Sequence, residues 1–235
     1  MSVVRRFAVP HLDAAARPHA LTIGVLDETG QEKHGTATAG VKRQHMGCAG
    51  GIDNGITTAL PLDLTFATKG ELAIGLLRDA YADAVHLDFV VGDEVYGTCT
   101  KLRTFLEEHG QAYVLRVRAT FILALGGGTS LTGEQVVARH LKQKRKWTIH
   151  SAGTGSKGER IYAWAWIATA RPVHYLLVRK HCVTGELAFH YCHVPAGRPV
   201  TLPCLIAAGL PCPVCAGQRS RPSEGGVSSG GGGPG

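Results

Sequence analysis

The stretch Asp88-Phe89-Val90-Val91-Gly92-Asp93-Glu94-Val95-Tyr96-Gly97 limits what this chain can become. The apolar run 87–91 has the length and composition of a buried β-strand. It stops abruptly at two carboxylates, and a helix-like segment, 101–108, follows Gly97. Open α/β sheets carry their chemistry at the carboxyl ends of strands, so a strand that delivers Asp93 marks a candidate site. The chain repeats the device: residues 19–26 read as a second strand, ending in Asp27-Glu28-Thr29-Gly30. Two such strands bring together carboxylates from distant positions, as a site for hard divalent cations requires. Asp is equally the residue type that caps a turn or a helix, and each position allows that role too.

The 235 residues suffice for one sizeable domain or two small ones, and 44% hydrophobic content supports a core. A net charge of +7 suits a polyanionic partner such as nucleic acid, though Arg-rich surface charge gives the same balance. The apolar stretch 202–210 is broken by Pro203 and is too short to span a bilayer. A cytoplasmic protein without membrane contact is expected. The seven Cys are scattered and odd in number, which argues against a full disulfide framework.

Along the chain, 28–55 is rich in Gly, Thr and Ala and carries Lys33, His34, Lys42, Arg43, Gln44 and His45. It reads as a basic loop, either holding a DNA backbone through Lys42 and Arg43 or simply solvated. Residues 69–84 space Leu72, Ile74, Leu76, Leu77, Ala80 and Tyr81 as an amphipathic helix does. Residues 111–118 alternate and read as a strand, Gly126 to Gly128 mark a turn, and 134–140 look helical. The basic run that contains Lys144, Arg145 and Lys146 is either a phosphate-contacting stretch or a solvated face. Residues 147–194 hold four strand-like segments, on which Trp164 and Trp166 read as packing residues.

Val25-Leu26-Asp27-Glu28-Thr29-Gly30, Lys33-His34-Gly35-Thr36-Ala37 and Gly40-Val41-Lys42-Arg43-Gln44 together resemble DDE transposases of the IS701 type. Gly92-Asp93-Glu94-Val95-Tyr96-Gly97 resembles the second acidic motif of that family. The stretch from Ser151 to Trp164 and the segment Tyr175-Leu176-Leu177-Val178-Arg179-Lys180 resemble two further family stretches, in family order. The resemblance covers about 20–208 and implies an RNase H-like α/β catalytic core with an inserted strand-rich segment. It implies Mg²⁺ as cofactor, DNA as substrate, and Asp27 and Asp93 as catalytic metal ligands.

Measured against that family, the core is expected to be incomplete. Little chain precedes Asp27 to hold a DNA-binding region, and only a short link separates Asn54 from Thr65 where further strands belong. The family's third carboxylate, a Glu on a helix beginning within 201–208, has no counterpart, and Glu224 sits in a Gly/Ser/Pro tail. The organisation expected is a short segment 1–18, a partial transposase domain 19–208 and a disordered tail 209–235, as a frameshift after Ala208 would leave. The reading is therefore a degenerate, inactive transposase remnant, able to associate with an intact relative. The rivals are a non-catalytic DNA-binding protein and a small zinc-binding domain built on Cys212, Cys215, Cys204 and His193. HExxH spacing is absent and no strand-to-helix Gly-x-Ser-x-Gly elbow is found, which argues against zincin and serine-hydrolase chemistry.

Overall fold

A computed structural model of the chain describes residues 21–27, 30–32, 42–46, 51–57, 67–155 and 158–209. The order is β1 (Ile23–Leu26), β2 (Gly30–Glu32), β3 (Lys42–Met46), β4 (Gly51–Thr57), α1 (Lys69–Ala82), β5 (Phe89–Gly92), α2 (Glu94–Gly97) and α3 (Thr100–Glu108). Then come β6 (Tyr113–Val117), β7 (Ile122–Ala124), β8 (Ser130–Thr132), α4 (Gly133–His140), β9 (Thr148–Gly155), β10 (Gly158–Ala168), β11 (His174–His181), β12 (Leu187–His193) and α5 (Leu202–Gly209). The chain divides into two units, one of residues 1–27 and 60–211, the other of 28–59 and 212–235.

The first unit is a mixed α/β fold on a seven-stranded sheet of order β1-β5-β6-β12-β11-β10-β9. β1, β5 and β6 run parallel, and the strands from β6 through β12, β11 and β10 to β9 pair antiparallel. Side-chain alternation sorts β6 between two cores. Tyr113, Leu115 and Val117 join Ala73, Ile74 and Leu77 of α1 and Leu102, Phe105 and Leu106 of α3. Val114 joins Leu205, Ile206 and Ala208 of α5 with Phe89, Trp164 and Leu177. Burying Leu205 and Ile206 fully contributes roughly 1.5–3 kcal/mol each.

Local chemistry sets the helix ends. Thr68 and Glu71 form a capping box on α1: Glu71 N–H donates to Thr68 Oγ1 at 3.3 Å and Thr68 N–H donates to Glu71 Oε2 at 2.9 Å. Lys101 Nζ then donates to Glu71 Oε1 at 2.9 Å, tying α3 to α1. Trp164 is fully buried, and Trp166 stacks at a tilt on Tyr175 with centroids 5.0 Å apart, so both serve packing.

The second unit differs from the sequence reading. The span 28–55, read as a flexible basic loop, contains a three-stranded antiparallel sheet of order β2-β4-β3. Lys42 and Arg43 lie in β3, in register with Gly55 and Asn54 of β4. The strands Gly-Gln-Glu, Lys-Arg-Gln-His-Met and Gly-Ile-Asp-Asn-Gly-Ile-Thr are mostly polar or glycine and lack the apolar alternation on which strand recognition depends, and ladder hydrogen bonds do not need it. The expected tail, from residue 210 onward, lies outside the described residues, as do Glu28, Cys212, Cys215 and Glu224. Among the described residues, no helix is long and apolar enough to cross a membrane.

Candidate active site

Three parallel strand ends build the site. Leu26 of β1 is in register with Gly92 of β5, and Gly92 is in register with Leu115 of β6. The next residues along, Asp27, Asp93 and Arg116, therefore occupy one step on three adjacent strands. Neighbouring strands lie about 4.8 Å apart, so the two Asp backbones leave the sheet side by side. The alternation that turns Val91 and Val114 to the α5 face reaches Asp93 and Arg116 two residues later. Both Asp27 and Asp93 are exposed.

Asp88 pins this alignment from the other end of β5. Its Oδ2 accepts from Thr22 N–H at 2.8 Å, its own N–H donates to Thr22 O at 2.7 Å, and Arg198 Nη1 donates to its carbonyl at 2.6 Å. The β1–β5 register is thus fixed by a side chain that the sequence shows only as part of the motif string.

Asp93 is the N-cap of α2, with Oδ1 accepting from Val95 N–H at 2.9 Å. The cap occupies one carboxylate oxygen, so capping and metal ligation are compatible. Beside it lies an open cleft of about 510 Å³, lined by Asp93, Glu94, Val95, Thr98, Arg116 and Arg118. Glu94 Oε1 is 3.6 Å from Arg116 Nε, and Glu94 Oε2 is 3.8 Å from Arg118 Nε. Arg116 and Arg118 have no role in the sequence reading. Their only signal is the alternation of Arg-Val-Arg on a strand that ends beside Asp93.

The predicted basic run lies elsewhere. Lys144, Arg145 and Lys146 form an exposed turn before β9, with Arg145 Nε donating to Gln143 Oε1 at 3.0 Å. β9 is at the sheet edge opposite β1. Five strand spacings separate it from β5, roughly 24 Å, so the run and Asp93 are not brought together. Among the described residues, no group of three or more His, Cys, Asp or Glu side chains could hold a metal ion. α5 spans the segment where the family resemblance leads one to expect a third carboxylate, and its sequence, Leu-Pro-Cys-Leu-Ile-Ala-Ala-Gly, has no acidic residue.

A second polar cluster sits at the opposite, amino end of β6. Glu107 accepts from Arg171 Nη2 at 2.7 Å and Tyr113 Oη at 2.8 Å, and meets His174 Nε2 at 3.1 Å. Burial alone would raise the Glu107 carboxyl, but hydrogen bonds from His174, Tyr113 and Arg171 outweigh it and hold the group below its ordinary range. Burial and Glu107 together push the Tyr113 phenol up. His174 Nδ1 meets Pro172 O at 2.7 Å, so both ring nitrogens face acceptors. This cluster locks α3 to the sheet.

Residues 57–164 match the family model described as DDE superfamily endonuclease. No curated protein and no solved structure matches the chain. The matched span is a little under half the chain and carries Asp93, Glu94, Arg116 and Arg118, while Asp27 precedes it. Over that span the chain is similar to DDE-type endonucleases.

Proposed function

We propose that this chain is a DDE-type DNA-processing domain of the IS701-like transposase kind, with an RNase H-like core in which Asp27 and Asp93 face a DNA backbone through Mg²⁺. The observation that carries the reading is the shared register of Leu26 and Gly92, which delivers both carboxylates from adjacent parallel strands. The match of residues 57–164 to DDE superfamily endonucleases supports the same substrate class.

The residues fit one Mg²⁺ ion. That ion takes one or two carboxylates, keeps several waters and accepts phosphate oxygens in the remaining positions. A bound Mg²⁺ would polarise a phosphoryl oxygen and acidify a water. A pair of ions needs a further carboxylate, which α5 does not carry. Within this reading Asp27 and Asp93 hold and orient, while DNA engagement falls to Arg116 and Arg118 near the carboxylates and to the Lys144, Arg145 and Lys146 turn across the sheet. Lys42 and Arg43 of β3 are further candidates for backbone contact.

Calorimetric titration with Mg²⁺ and Mn²⁺ tests the metal assignment. Asp93→Asn and Asp27→Asn should each abolish a single weak site in the intact chain. Unchanged metal binding in both variants would remove the catalytic assignment.

A further inference from the structure

We propose that Arg116 and Arg118 form a binding site for a DNA backbone phosphate, and that Glu94 occupies it in the free protein as a displaceable internal anion. The inference deepens the DNA-processing reading and rests on it for the identity of the anion.

Arg116 lies in β6 and Arg118 one residue past its end, and both side chains reach the same carboxylate, that of Glu94. Both turn a Nε–H toward the single carboxylate of Glu94, at 3.6 and 3.8 Å. Neither distance is a hydrogen bond. Arg116 Nε is buried and has no hydrogen-bond partner. A buried donor without a partner is costly, and a planar guanidinium is built for bidentate contact with an oxyanion. The Glu94 carboxylate meets each arginine by only one oxygen. A phosphate, with more oxygens in a tetrahedral spread, can give each guanidinium a short contact.

Exposure makes the internal anion replaceable. The side chains of Glu94 and Arg116 are each about two-fifths exposed, and that of Arg118 is 74% exposed. Ion pairs so open to solvent hold weakly. The position is also specific. Arg116 follows Leu115 at the same step at which Asp93 follows Gly92 on the adjacent strand, so a phosphate seated on the arginines lies beside the carboxylate pair. A backbone phosphate there would otherwise face Asp27 and Asp93 without compensation.

The test is DNA binding in EDTA, where no metal contributes, with a fluorescent duplex at 50 to 200 mM KCl. Glu94→Gln should tighten binding by about threefold or more, because the competing anion is gone. Arg118→Gln, on an exposed side chain, should weaken it and lower the slope of log affinity against log salt by about 0.9. Arg116→Lys keeps the charge but loses the planar donor and should weaken binding without changing that slope. Glu108→Gln, an equal charge change on exposed α3 surface, serves as the control and should alter neither quantity. Equal gains for Glu94→Gln and Glu108→Gln, or an unchanged slope in Arg118→Gln, would overturn the site. Inorganic pyrophosphate separates the two levels of the claim. If the chain binds no DNA, yet Glu94→Gln binds pyrophosphate and Arg118→Gln abolishes this, the anion site stands and the DNA reading falls.

Discussion

A Cβ on Gly97 would lie 1.8 Å from the carbonyl oxygen of Arg116. Only a hydrogen fits, and that near-contact seats the four-residue helix α2 directly on β6. Arg103 Nη1 donates to the Gly97 carbonyl from the next helix, and Arg103 Nη2 donates to Thr100 Oγ1 at 3.2 Å. The floor of the cleft is therefore set by backbone against backbone. Gly97→Ala must push α2 off the sheet, an overpacking cost of about 1–3 kcal/mol. For a chain of this size that lowers Tm by roughly 2–4 °C per kcal/mol. A thermal melt indistinguishable from the parent would show that α2 does not sit where the geometry requires.

The Thr22–Asp88 clamp predicts a graded series. Asp88→Ala removes the acceptor for Thr22 N–H and the charge facing Arg198, at 2.8 and 3.5 Å. A hydrogen bond to a charged group is worth about 1.5–3 kcal/mol, and that loss should appear in urea unfolding. Asp88→Asn keeps an oxygen for Thr22 and should lose about half as much. Because the clamp fixes the β1–β5 register, both variants should also weaken any Mn²⁺ site at Asp27 and Asp93, in the same order. Equal effects of Asn and Ala on stability would show that the Thr22 contact contributes nothing.

Two buried imidazoles make the fold acid-sensitive. Burial, then the Arg179 and Arg116 charges, lower His190 from 6.5 to about 3. Burial, then the neighbouring His174, lower His193 from 6.5 to about 4. Each is neutral in the fold, whereas the unfolded chain takes up a proton below 6.5. Stability is therefore full above pH 6.5 and declines as pH falls, down to about 4 for His193 and about 3 for His190. Each group contributes a slope of at most about 1.4 kcal/mol per pH unit. His190→Leu removes one of the two and should roughly halve the loss of stability between pH 6 and 5. A parent protein equally stable at pH 7 and pH 5 would mean that neither ring is held neutral.

The parts of the fold legible in the sequence were those with a local period. The 87–91 run, the alternation at 111–118 and the helical spacing at 69–84 correspond to β5, β6 and α1 within a few residues. Asp93 stood out because an apolar strand ends on it. The arginines did not, because what singles them out is long-range: Leu115 pairs with Gly92, and no local pattern encodes that pairing. The charge-dense run 144–146 was conspicuous for the opposite reason. Local density marked it, while the sheet order leaves it beside edge strand β9, five strands away from β5. β2, β3 and β4 went unread because Gly51 to Thr57 and its partners carry little apolar alternation.

Under the proposed DDE reading, strand cleavage needs three carboxylates, and two of the expected ones lie on adjacent strands. Asp27 and Asp93 share one step of the parallel sheet and supply two carboxylates. α5, over the span where the family resemblance expects the third, is apolar throughout, with Leu205, Ile206 and Ala208 buried against β5, β6 and β10. With two carboxylates, one Mg²⁺ can be held, but the attacking oxygen and the leaving oxygen then lack a common clamp. A misplacement of about 1 Å can cost on the order of a hundredfold in rate. We therefore expect no detectable Mg²⁺- or Mn²⁺-dependent cleavage or joining by the purified chain. The assay uses DNA carrying candidate element ends, with an active DDE transposase as positive control. Cleavage that disappears in Asp93→Ala would refute this expectation and point to another carboxylate completing the site. Glu94 is then the first to test, since it adjoins Asp93 in the same cleft. Glu94→Gln would abolish that cleavage if Glu94 is the missing ligand, and would leave it intact or raise it if Glu94 only guards the arginines.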